Sequence, residues 1–130
     1  MKVLIADDSQ LMRERIRESV SIFGSVEIVS ETSGGWQTLE DLKKYKPDLA
    51  IIDISMPDLN GLEILKEFLP YNVNKETRII VLTNYAYEQY RDKAFMYGAS
   101  YFLSKTDDFD QIPAILGRKL HTGKKKILPF

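Results

Sequence analysis

Short apolar runs alternate along the chain with stretches in which apolar residues recur every three or four positions. Val3-Leu4-Ile5 is the first run, and it stops at Asp7-Asp8. Met12, Ile16, Val20 and Phe23 then keep helical spacing, with Ser9 suited to an N-cap and Gly24 to a stop. Residues 26–30 are β-branched enough for a second strand. Trp36, Leu39, Leu42 and Tyr45 predict a second helix that Pro47 closes. Residues 49–52 are continuously apolar up to Asp53, the pattern of a strand covered on both faces. Leu62, Leu65, Phe68 and Leu69 predict a third helix ended by Pro70, and residues 79–82 a fourth strand ending at Thr83. Tyr87, Tyr90, Ala94 and Tyr97 predict a fourth helix, with Gly98 just past its end. Residues 101–103 form a fifth apolar run before Ser104-Lys105. Ile112, Ile115 or Leu116, and Leu120 predict a last helix, with Asp110 as N-cap and Pro113 in the first turn.

Five such βα units imply a parallel sheet with right-handed crossovers and helices on both faces. In sheets of this kind, function lies outside the carboxyl ends of the strands. Four strands end there in polar residues: Asp7 and Asp8, Asp53, Thr83, and Lys105. An aspartate after a strand is commonly a turn or cap residue, a threonine a cap, and a lysine solvated. Four such ends meeting along one edge are much harder to dismiss. Converging carboxylates either raise one another's pKa values or bind a cation. An all-oxygen ligand set selects a hard ion such as Mg²⁺. A metal, a nucleophilic carboxylate, a hydroxyl and a lysine together suit phosphoryl transfer.

Composition narrows this further. The 130 residues and 15.0 kDa suit one domain, and 44% hydrophobic with 28% charged residues is an ordinary globular profile. The absence of cysteine removes disulfides, thiolate zinc sites and cysteine nucleophiles, and fits a reducing compartment. No apolar run approaches the roughly 20 residues of a membrane span. The N-terminus meets two carboxylates too early for a signal peptide. The net charge of −1 divides into −6 over residues 1–116 and +5 over residues 117–130, where Arg118, Lys119, Lys124, Lys125 and Lys126 lie beside the only histidine, His121. A body of that charge repels nucleic-acid phosphates, and the basic end reads as a solvated tail or linker.

The chain resembles a receiver domain of a two-component response regulator over residues 1–120, leaving 121–130 as a basic tail or linker stub. The resemblance is carried by LIADDS, by PDLAIIDISMPDLNGLE with its aspartate, proline and Asn60-Gly61 turn, by VLTN, and by GASYFLSK, in that order at βα spacing. It implies a flavodoxin-like, doubly wound five-stranded parallel sheet of order 2-1-3-4-5 with five helices. It further implies that Asp53 is the phosphoacceptor. Mg²⁺ would be held by Asp8 directly, by Asp7 mainly through water, by Asp53, and by the backbone carbonyl of Ser55. Lys105 and Thr83 would bind phosphoryl oxygens, and Phe102 would be the aromatic that turns inward as Thr83 moves.

The implied activity is limited to Mg²⁺-dependent self-phosphorylation and self-dephosphorylation of Asp53. The implied partners are a histidine kinase or phosphotransfer protein and, on the face of the fourth helix, fifth strand and fifth helix, a second copy or an output partner. The implied setting is cytoplasmic, without membrane contact or direct nucleic-acid binding. Eight of the fourteen aromatics fall within residues 85–109, in the region of that face, which suits an interface.

Three positions depart from the family pattern. Thr106 replaces the proline that often follows the lysine, which predicts a looser loop. Asn84 is larger than the usual residue after the switch threonine, and Phe102 lacks a tyrosine hydroxyl. A flavodoxin-type cofactor binder fits poorly, because Asp7-Asp8 would repel a phosphate. An aspartate-nucleophile phosphatase would need a carboxylate where Ser55 stands. The rival reading is a receiver used unphosphorylated as a binding module. The chain is either a stand-alone receiver or one cut from a longer regulator.

Overall fold

The computed structural model describes residues 1–125, with side chains through Arg118; Leu120, His121 and the rest of the basic tail lie outside the described side chains. In chain order the elements are β1 (Lys2–Ala6), α1 (Gln10–Ser21), β2 (Glu27–Thr32), α2 (Gly35–Tyr45), β3 (Leu49–Ile52) and α3 (Gly61–Phe68). A 3-10 turn (Leu69–Tyr71), β4 (Arg78–Thr83), α4 (Glu88–Met96), β5 (Tyr101–Ser104) and α5 (Gln111–Lys125) follow. The strands are all parallel in the order β2-β1-β3-β4-β5, the flavodoxin-like topology that the sequence predicts. No described helix is long and apolar enough to cross a membrane.

The period-two pleat explains why the inner strands are apolar throughout. Leu4 and Ala6, Ala50 and Ile52, and Ile79 and Val81 face one layer, which α2, α3 and α4 complete with Leu42, Ile64, Leu65 and Ala94. Val3 and Ile5, Leu49 and Ile51, and Ile80 and Leu82 face the other layer, which α1 and α5 complete with Ile16, Val20, Ile112 and Leu116. Each buried aliphatic side chain contributes on the order of 1.5–3 kcal/mol, and this double burial holds the strand ends in register. Capping fixes the helix starts. Ser9 Oγ accepts the Met12 N–H at 3.2 Å. Asn60 and Glu63 form a reciprocal capping box at α3.

The structure corrects several expectations. Helix α1 ends at Ser21, short of Gly24, and α3 gives way to the 3-10 turn that contains Pro70. Leu69 is therefore exposed rather than buried. Tyr87 stands outside α4 as its N-cap residue and is exposed. Trp36 is 57% exposed although its spacing predicts an inward side chain. The buried positions of α2 are Gly35, Thr38, Leu39, Asp41 and Leu42, and Gly35 presses on the Leu59 backbone, which turns Trp36 outward. Its N-cap, Gly34, has no side chain with which to cap the helix.

These burials set a stability prediction. Ile51→Ala, deep in the α1/α5 layer, is expected to lower unfolding free energy by about 2–5 kcal/mol in urea denaturation. Trp36→Ala is expected to change it by less than about 1 kcal/mol. Comparable losses would place Trp36 in the core after all.

Candidate functional site

The acidic residues are placed by the sheet's own hydrogen bonding. Asp7 donates its N–H to the Thr32 carbonyl at 3.0 Å, and Asp53 donates to the Ala6 carbonyl at 3.0 Å, so both continue the ladder past the strand ends. Both are consequently buried, at 1% and 4% exposure, whereas Asp8 is exposed. Asp7 Oδ1 accepts the Ser9 N–H at 2.9 Å, and Arg13 Nη1 donates to the Asp7 carbonyl at 2.7 Å, tying the pair to the start of α1. Across the sheet, the Lys105 N–H donates to the Thr83 carbonyl at 2.9 Å, which brings the lysine back over the same edge.

Four residues named from the sequence therefore converge. Oxygens of Asp7, Asp8 and Asp53 all lie within 4.8 Å of one another. Lys105 Nζ donates to Asp53 Oδ2 at 2.9 Å and lies 2.7 Å from Asp7 Oδ2. The second approach is an ion pair without hydrogen-bond alignment, so Asp7 Oδ2 is a buried carboxylate oxygen with no aligned donor. An acceptor in that condition, among three carboxylates and one ammonium, fits a hard divalent cation. Asp7, Asp8 and Asp53 could each offer it an oxygen.

Burial raises the Asp53 pKa above its ordinary value, against the hydrogen bond and charge of Lys105, and the Asp7 charge adds to the rise. Burial alone would lower the Lys105 pKa, but its contacts with Asp7 and Asp53 outweigh this and raise it. Lysine is thus held charged beside a carboxylate that ionises at a cost.

The remaining candidates stand around this group. Ser55 has an exposed side chain and donates its N–H to Asp53 Oδ1 at 3.3 Å. Thr83 is fully buried, and its Oγ1 accepts the Tyr85 N–H at 3.0 Å, which leaves its hydroxyl hydrogen to donate elsewhere. Phe102 is half-buried beside the layer that includes α4. It also lines an open cleft of about 240 Å³ with Ala86, Glu88, Arg91, Ser104 and Asp108. Asn84 is exposed. Of the clustered aromatics, Tyr85, Tyr87 and Phe95 are exposed, and the Tyr87 ring lies 6.3 Å from Tyr85 and 5.6 Å from Tyr90.

The loop after Lys105 is not loose, contrary to the expectation from Thr106. Ser104 Oγ accepts the Thr106 and Asp107 N–H groups, both at 3.3 Å, and Asp108 Oδ2 accepts the Ser104 N–H at 2.9 Å. Side-chain acceptors from Ser104 and Asp108 thus brace this turn where the family that the sequence resembles often has a proline. Sequence reasoning also missed Arg13 and Asp58. Arg13 occupies the helical turn after the acidic pair, and Asp58 lies in the proline turn after Asp53, where an aspartate is an ordinary turn residue.

Residues 3–117 match the family model of the response regulator receiver domain. The chain is 30% identical over 127 residues to an uncharacterized transcriptional regulatory protein, YhcZ, of Bacillus subtilis, covering 98% of this chain and 58% of YhcZ. It is 29% identical over 120 residues to the chemotaxis protein CheY of the same organism, covering 92% and 98%. Among solved structures, the signal receiver domain of the response regulator NarL from Mycobacterium tuberculosis superposes with a TM-score of 0.79 at 29% identity, covering 90% of this chain and 94% of that one. The chain spans about half the length of several regulatory relatives that it matches.

The raised Asp53 pKa has a stability consequence with a definite sign. The folded state holds that proton more tightly than the unfolded chain. Stability from this group therefore falls as pH rises from the unfolded towards the folded pKa, and the ionised group is a net cost above both. Asp53→Asn is expected to unfold at a higher temperature than wild type at pH 7, by about 3–5 °C for each kcal/mol relieved. Carboxyl carbon NMR of wild type should give a midpoint above 3.8 for Asp53, higher still in Lys105→Ala. A midpoint below 3.8 would contradict the burial argument.

Proposed function

We infer that Asp53 is the phosphoacceptor of this chain, which belongs to the response regulator receiver family. The family consists of phosphorelay signal receivers rather than classical enzymes. One observation carries the assignment of Asp53. It is a buried carboxylate with an ammonium 2.9 Å away and two further carboxylates alongside. A buried, partly desolvated carboxylate is a better nucleophile than a hydrated one, and the lysine offsets charge on the group it attacks.

In this reading, an Asp53 oxygen attacks the phosphorus of a phosphohistidine on a histidine kinase or phosphotransfer protein. A P–O bond forms, the P–N bond breaks, and its electron pair returns to the donor's imidazole. Asp8, Asp53 and the Ser55 carbonyl would hold Mg²⁺, with Asp7 acting mainly through water. When bound, the ion supplies positive charge that phosphoryl oxygens share. Lys105 would move from the two carboxylates onto a phosphoryl oxygen, and the Thr83 hydroxyl would donate its free hydrogen to another. Hydrolysis of the acyl phosphate would return the chain to its resting form.

Readout would pass through packing. Thr83 Oγ1 already holds the Tyr85 N–H, so its displacement pulls on the β4–α4 loop. The half-buried Phe102 ring lines the adjoining cleft and would fill the space that Thr83 leaves. The face of α4, β5 and α5 would then meet a second copy or an output partner in the cytoplasm. Residues 1–120 would act as the receiver body and 121–130 as a tail or linker.

Two outcomes test this. With Mg²⁺ and a small phosphodonor such as acetyl phosphate, intact mass should show one added phosphate that is labile to hydroxylamine and absent in Asp53→Asn. Lys105→Ala should slow its formation at least about tenfold. Phosphate stable to hydroxylamine would point to another residue. Separately, beryllofluoride with Mg²⁺ should shift NMR signals of Tyr87, Tyr90, Tyr97 and Phe102, and the coupling needed is only about 1–3 kcal/mol. Shifts confined to the acidic pocket would remove the readout mechanism.

A further inference from the structure

The loop that follows Asp53 is held at two points, and one is a carboxylate outside the acidic group. Asp58 has φ 64°, a left-handed conformation that aspartate and asparagine tolerate better than most residues. From that posture its Oδ1 accepts the Leu59 N–H at 2.8 Å and the Gly35 N–H at 2.7 Å. Gly35 is the first residue of α2, and its N-cap Gly34 has no side chain to offer. Asp58 therefore caps α2 from a different element, with a charge of the sign that a helix N-terminus favours. The Pro57 carbonyl accepts the same N–H at 3.3 Å, and a Cβ on Gly35 would overlap the Leu59 carbonyl. The contact thus requires glycine on one side and, on the other, a left-handed residue whose side chain offers an acceptor oxygen.

The second hold is at the far end of the loop. Gly61 donates its N–H to the Ile54 carbonyl at 2.8 Å, and a Cβ there would overlap the Asp53 carbonyl. Ser55 and Met56 lie between the two holds. A segment this short, fixed at both ends, has little freedom to redirect its carbonyls.

We propose that Asp58 is a positioning residue for the cation site, holding the loop against α2 so that the Ser55 carbonyl and the Asp53 carboxylate stay aimed at one ion. This rests on the reading above, in which the Ser55 carbonyl is a ligand. The coupling runs both ways by linkage: an ion on the loop steadies the first turn of α2, where Trp36 stands exposed.

Two variants separate this role from simple capping. Asp58→Gly keeps the left-handed backbone and deletes the carboxylate; Asp58→Asn keeps both the conformation and an acceptor oxygen. Mg²⁺ is titrated into wild type and both variants, followed by the Ser55 amide signal and Trp36 fluorescence, and Gly35 amide exchange is measured without the ion. In Asp58→Gly, Gly35 should exchange about tenfold faster and the Mg²⁺ dissociation constant should rise about tenfold. Asp58→Asn should stay within about twofold of wild type, since it preserves the neutral part of the contact. If Asp58→Gly frees the Gly35 amide but binds Mg²⁺ like wild type, Asp58 is only a helix cap and the proposal fails. A wild-type chain that binds no Mg²⁺ overturns the functional reading itself, whatever Gly35 does.

Discussion

Three carboxylates crowd together at the end of a sheet with one ammonium against two of them, and most of the structure can be understood as what makes that tolerable. Lys105 bridges Asp7 and Asp53, so one side chain from the end of β5 ties together the ends of β1 and β3. One positive charge cannot neutralise three negative ones, and the burial of Asp7 and Asp53 prevents water from doing so. Left alone, such a group would push the strand ends apart. The two apolar layers prevent it, because separating the strands would expose Leu4, Ile5, Ile51, Ile52 and Ile80 together. The site is thus a local conflict sustained by a larger agreement.

The strands and the four converging residues were legible because their signals are repetitive or abrupt. A strand buried on both faces must be apolar at every position, and a carboxylate directly after it interrupts the pattern unmistakably, as at Asp53. Trp36 and Leu69 were misread because helical spacing assigns a face without saying which neighbour occupies it. For α2, the occupant is the Leu59 backbone, and that contact admits only Gly35. The turn after Lys105 was misread for a related reason. A missing proline is visible in sequence, whereas its replacement by hydrogen bonds from Ser104 and Asp108 depends on residues three and four apart that look like ordinary polar loop. Asp58 was invisible because an aspartate in a proline turn looks like an ordinary turn residue, and no local signal marks the Gly35 N–H as its partner.

The helices are attached to this sheet unequally. Helix α3 buries Ile64, Leu65 and Phe68 in eight residues and begins with a capping box. Helix α4 fully buries only Ala94, relies on half-buried Tyr90 and Tyr97 at its margins, and begins at Tyr87 without a side-chain cap. The same helix borders the cleft that Phe102 lines and receives the loop that Thr83 holds. The weakest attachment therefore adjoins the residues best placed to transmit a change at the acidic edge.

That thin attachment gives α4 a thermodynamic independence that the other helices lack. A helix secured by one alanine and the edges of two tyrosine rings forfeits little apolar burial when it lifts, so its opening free energy should be a small fraction of the global value. It would unfold as a separate cooperative unit many times for each unfolding of the sheet. Proteolysis and hydrogen exchange would meet a protein with two stabilities: a rigid frame of β-strands, and one helix that samples solvent on its own schedule.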